Sequence, residues 1–127
     1  MKRKMIPIFE GVYVWPEDVK MIDVIEEDVG KITYRRCVGR RFFKKIWNVE
    51  EESIRAWQVK VEVDEGFGYP VPYYACPLSN ANSGDMVWSS FHGREVCRNQ
   101  LNNFNECVKS AKEIVERINA AMNEVAK

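Results

Sequence analysis

A single histidine, His92, leaves this chain one residue of the commonest acid–base type. None of its four cysteines, Cys37, Cys76, Cys97 and Cys107, stands within about two to four residues of another, the spacing of paired structural zinc ligands. His92 precedes Cys97 by five positions, only a loose echo of ligand spacing. No metal and no cofactor is therefore expected. No stretch approaches the ~20 apolar residues of a membrane span. The basic opening, Met-Lys-Arg-Lys-Met-Ile, has no signal-peptide core, because Pro7 and Glu10 cut its apolar run short and no small-residue cleavage site follows. A cytoplasmic protein with reduced thiols and no membrane contact is expected. Excess charge of either sign is missing too: nineteen cations balance nineteen acids. That balance argues against a general nucleic-acid coat, though not against a local basic patch. Neither internal repeats nor low-complexity linkers appear.

What is present is ordinary globular composition, 46% apolar and 30% charged over 127 residues. It suits one domain, 1–127, β-rich over 1–89 and helical over 90–127. Met5, Ile6 and Ile8, then Val12 and Val14, form two short strand patterns about Gly11, and Pro16 ends them. Residues 19–29 carry β-branched Val19, Ile22, Val24 and Ile25 and read as strand, although Pro16, Glu17 and Asp18 would also suit a helix start. Val29-Gly30-Lys31 looks like a hairpin turn. Residues 32–38 and 41–47 read as further strands, interrupted at Gly39, and 48–52 as a turn. Over 54–63, Trp57, Val59, Val61 and Val63 alternate with Ala56, Gln58, Lys60 and Glu62. One buried and one wet face follow, as in an antiparallel sheet. Pro70 and Pro72 confine 73–76 to a sheet edge, and 86–88 is a last short strand, with Ser89 or Ser90 placed to cap a helix.

The C-terminal third holds a four-three apolar repeat: Cys97, Leu101, Phe104, Val108, Ala111, Val115, Ile118, Met122, Val125. A second row, Cys107, Ile114 and Ala121, runs beside it. A helix over 94–126 would be roughly 45–50 Å long, against about 30 Å for a compact domain of this size. The expected fold is α+β: an antiparallel β-meander of five to seven short strands, then one long C-terminal amphipathic helix packed on the sheet. The far half of that helix, with Ile114, Val115, Ile118, Met122 and Val125, is expected to meet a second copy of the chain or another protein.

Residues 31–45 hold seven cations and no acid: Lys31, Arg35, Arg36, Arg40, Arg41, Lys44 and Lys45. Tyr34, Phe42, Phe43 and Trp47 are interleaved. Phe42 and Phe43 point to opposite faces of any strand, so one is expected in water. Basic side chains with an exposed aromatic suit an anionic partner. The bland alternative is a surface neutralised by the flanking acids at 17–28 and 50–52.

Phe67, Tyr69, Tyr73, Tyr74 and Trp88 cluster in sequence around a Gly/Pro loop. That loop lacks phosphate-loop spacing, and it reads either as aromatic turn packing or as a recognition loop. Catalysis would have to use His92, with Cys76 a conceivable nucleophile across the loop.

The leading expectation is a non-enzymatic protein-interaction module of the small inhibitor or adaptor type. It would self-associate through its helix and contact an acidic partner through the basic–aromatic strand pair. A nucleic-acid-binding module on the 31–47 patch is the first alternative, and a small enzyme with a site near 67–76 and His92 the second. Such layouts are common among accessory proteins of bacteria and their mobile elements, a likeness of architecture that carries no function.

Overall fold

The computed structural model describes residues 4–41 and 44–126, with the side chains of 33–38 and 125–126 outside that description. Phe42, Phe43 and the Arg35, Arg36 and Val125 side chains singled out above thus lie outside the described residues.

The fold is α+β, with seven antiparallel strands in three sheets among the described residues and one C-terminal helix packed on the sheet. β1 (Ile6–Phe9) and β2 (Val12–Val14) make a small hairpin. Its turn passes through Gly11, whose φ of 74° costs glycine nothing. A 3-10 turn at Pro16–Asp18 leads into β3 (Val19–Arg41), which pairs with β4 (Lys44–Asp64); β5 (Pro70–Ala75) lies on the far side of β4. β6 (Met86–Ser89) and β7 (Arg94–Cys97) form a second hairpin, followed by a 3-10 turn at Arg98–Leu101 and α1 (Phe104–Ala126).

The central β3–β4–β5 meander matches the expected topology, but two of its strands are not short. β3 runs 23 residues and β4 runs 21. Residues 29–31 do not turn. The chain bulges between Asp28 and Gly30 and continues. Gly30 is there for close approach: a Cβ on it would lie 2.2 Å from the Trp88 carbonyl oxygen. Residues 48–52 are likewise strand, paired with 32–36. Gly39 interrupts the ladder only as the partner of Ile46 beyond a second bulge.

The helix begins at Phe104. Residues 94–97 are β7, and the Ser89/Ser90 segment forms the β6–β7 reversal in place of a helix cap, with the Gly93 amide on the Ser89 carbonyl (2.8 Å). At 23 residues, α1 is about 34 Å long, close to the domain's own width. Its inward seam is the secondary row of the sequence: Cys107 and Ile114 are wholly buried, and Ala111, Ile118 and Ala121 pack around them.

Two cores lie on opposite faces of β4. Toward α1, Val59, Val61 and Val63 meet Ile6, Ile8 and Val14 of the first hairpin with Cys107 and Ile114. On the other face Ile54 and Ala56 meet Val29, Val87, Val96, Cys76 and Leu101. The face expected to be wet is thus dry at Ile54, Ala56 and Gln58, under the β6–β7 hairpin, and half-open only at Lys60 and Glu62. Each buried Val or Ile contributes about 1.5–3 kcal/mol.

β5 meets the other strand only over Val59–Asp64, and β6 touches β3 at Val29 and Gly30. Beyond that point β3 and β4 continue together as a two-stranded ribbon.

Candidate functional site: a projecting basic arm

The ribbon, residues 31–53, is here called the arm. Ten residue steps from Lys31 to Arg41 carry it about 33 Å beyond the body. Its root is fixed. Ile32 packs on the Ile54 core, and Glu52 pairs with Arg98 at 3.5 Å. Arg98 in turn grips both oxygens of Asp85, at 2.8 and 3.1 Å. That bidentate hydrogen bonding holds the Asp85 carboxyl below its ordinary range.

At the far end Arg40 stands opposite Lys45, and Arg41 opposite Lys44. Like charges directly across a ladder oppose pairing. The flanking acids do not reach this end in register: Glu50, Glu51 and Glu52 sit opposite Tyr34, Thr33 and Ile32. Glu26 and Asp28 flank Arg55 at 3.0 and 3.9 Å, far down the body. Between tip and root the arm presents Ile46, Trp47 and Val49 at 44, 49 and 65% exposure. Lys45 lies over the Trp47 ring at 5.9 Å. Of the residues read from sequence as one patch, Arg40, Arg41, Lys44 and Lys45 lie together on the arm, with Trp47, Ile46 and Val49 beside them, while Phe42 and Phe43 lie outside the described residues. The sequence reading left Ile46 and Val49 out. Alternation did not mark them: Lys44-Lys45-Ile46-Trp47-Asn48-Val49 sets two cations and then two apolar residues side by side.

The aromatic loop does not form one surface. Phe67 and Tyr69 stack at the β4–β5 turn, rings 6.0 Å apart. Tyr73 packs on the α1-side core and donates its hydroxyl to Glu65, which raises the Tyr73 pKa. Tyr74 faces the other way, beside Lys60. Trp88 lies on β6, next to the arm root.

His92 and Cys76 do meet, through the Cys76 carbonyl and not its thiol. The His92 Nε2 lies 2.8 Å from that carbonyl oxygen, and Nδ1 lies 2.6 Å from the Ser89 hydroxyl. A carbonyl only accepts, so Nε2 carries the proton and Nδ1 accepts from Ser89. Ser89 is wholly buried. This Ser–His pair is a staple that closes the β6–β7 turn. Burial pushes the Cys76 thiol up to about 11 and the Cys107 thiol up to about 12, far from a nucleophile's range. Among the described residues no three His, Cys, Asp or Glu side chains gather as a metal site, and no helix is long and apolar enough to cross a membrane.

Of the residues expected to self-associate, Ile114 is fully buried and Ile118 packs inward. Val115 and Met122 remain outward at 42 and 43% exposure. Among the described side chains, that leaves two separated ones on the outward face, because the seam runs through the neighbouring row.

Compared with protein-family models, curated proteins and solved structures, the chain has no match.

Proposed function

We propose that this protein is a non-enzymatic protein-interaction module, and that the arm is its contact element. The observation that carries this reading is the tip: two facing cation pairs end a ribbon whose middle exposes Ile46, Trp47 and Val49. An isolated two-stranded ribbon is marginal in water, and facing cations weaken it further. Such an arm gains most of its order from whatever lies against it. Exposed large apolar side chains beside Arg and Lys favour an acidic protein surface, since Trp and Arg dominate binding hot spots. A duplex would leave Ile46 and Val49 without a role.

The test uses three labelled probes: a 20-residue Glu/Leu peptide, a duplex and a single strand, titrated at about 50 and 200 mM salt. Binding of the acidic peptide, weakened at least tenfold in the double variant Lys44→Glu/Lys45→Glu, is the expected result. Binding confined to the duplex or single strand, with a steep salt slope, would move the assignment to nucleic acid. Binding to none of the three would overturn the reading.

A further inference from the structure

The charges of β3 are segregated along its length. Before Gly30 it carries Asp23, Glu26, Glu27 and Asp28 with one cation, Lys20; after Gly30 it carries Lys31, Arg35, Arg36, Arg40 and Arg41 with no acid. Its sheet order is β3–β4–β5, so among the described residues β3 has a strand on one side only. No described strand pairs with its outer edge on either side of Val29, whose carbonyl accepts from the Ser90 and Phe91 amides of the β6–β7 reversal at 2.6 and 3.4 Å. The Val24 amide on that strand is bonded to the neighbouring Asp23 carboxylate at 2.8 Å, the kind of local cap that an open edge uses. Beside the acidic half runs an apolar groove of about 370 Å³, between Ile22 and Val24 of β3 and Val108, Ala111 and Val115 of α1.

From these features we infer that the outer edge of β3 is a self-association surface, and that its occupant is β3 of a second copy, laid antiparallel about a twofold axis near Lys31. A strand that is acidic in its first half and basic in its second is complementary to itself only in the antiparallel sense. With Lys31 on the axis, Glu26 and Glu27 of one copy stand opposite Arg36 and Arg35 of the other, and the arrangement repeats across the axis. A parallel pairing would set acid on acid. Arg55 faces Glu26 and Asp28, and Lys60 stands opposite Asp23, so the pairing requires these acids to be shared between the body's own cations and those of the second copy.

The pairing also answers the arm's instability. Each arm becomes the fourth and fifth strands of the other copy's β5–β4–β3 sheet, past the three-strand threshold for independent stability. Alternate side chains of the added strand fall over the groove beside α1. The symmetry is closed and isologous, so growth stops at two. Exposed Trp88 and Phe91, on the hairpin that crosses β3 at Gly30, would lie near the axis.

This inference rests on the arm being a contact element, and it names the partner of its β3 edge. The β4 edge, with Lys44, Lys45 and Trp47, stays open for an acidic protein. The experiment is a charge-swap rescue read by light scattering at about 100 mM salt. The unmodified chain is expected at twice its 14.9 kDa. The double variants Glu26→Lys/Glu27→Lys and Arg35→Glu/Arg36→Glu are each expected as monomers at least tenfold weaker in dimerisation, with circular dichroism checking that they fold. The quadruple variant restores the dimer, because the swapped halves are again complementary. An unmodified chain that stays monomeric at high micromolar concentration overturns the inference. So does a dimer indifferent to both reversals, or a quadruple variant that fails to rescue while its parents fold. Lys44→Glu/Lys45→Glu separates the two readings: it abolishes acidic-peptide binding and leaves the dimer intact.

Discussion

At the residue scale, the chain's polar interior is concentrated in Asn103. Fully buried, it accepts the Trp57 amide at 2.9 Å and donates to the Trp57 and Pro77 carbonyls at 2.8 and 2.6 Å. It thus completes the β4 ladder just past the end of β5. Asn103→Ala strands those buried groups, and about 2–4 kcal/mol of stability is expected to go, measured by urea unfolding. His92→Ala removes two bonds from the β6–β7 turn and is expected to cost about 1–2 kcal/mol, with no change in binding by the arm. The buried thiols give a pH signature. Their folded pKa values, about 11 and about 12, lie above the ordinary thiol value, so the folded state holds those protons longer than the unfolded chain does. Stability is then full up to about pH 9 and falls as pH rises toward 11–12, by as much as ~1.4 kcal/mol per pH unit per thiol. Thermal melts from pH 7 to 10.5 on the chain and on Cys76→Ala measure that slope, which is expected to be shallower in the variant. Little of this was legible in sequence. An asparagine amid polar Gln-Leu-Asn-Asn-Phe-Asn gives no sign of a buried role, and His92 gave no sign that its partners would be a carbonyl and a buried hydroxyl.

At the scale of the element, helix and arm were readable to different degrees. The amphipathic helix was plain from its periodicity, but its seam was not. Two apolar rows ran side by side, and tertiary packing chose the row of Cys107 and Ile114. The N-terminal end of the repeat, Cys97 and Leu101, came from a strand and a 3-10 turn whose apolar spacing mimics a helix. The choice of row is testable. Met122→Glu is expected within about 0.5 kcal/mol of the parent, because that side chain faces water. Ile114→Glu is expected to abolish the folded state by placing a carboxylate in the core that holds Val59 and Val61. Circular dichroism melts decide it. The long strands escaped sequence reading because Val29-Gly30 carries a turn's composition. That glycine serves the approach of β6, so Gly30→Ala is expected to cost about 1–3 kcal/mol by driving a methyl group into the Trp88 carbonyl.

At the scale of the whole molecule, zero net charge conceals a polar division. Seven of the nineteen cations lie within 31–45, and the rest of the chain keeps twelve cations with all nineteen acids. Composition alone argued for an indifferent surface, whereas register along β3 and β4 turns the same charges into a basic arm on an acidic body. The proposed contact role requires that a partner, more than the body, order this arm. Backbone amide exchange at low and high protein concentration tests it most directly. When dilute, amides over 33–50 are expected to exchange orders of magnitude faster than those over 54–63, and on concentration 20–28 and 33–41 should gain protection together. Protection over 33–50 equal to that over 54–63 at every dilution would show a self-sufficient arm and contradict the account.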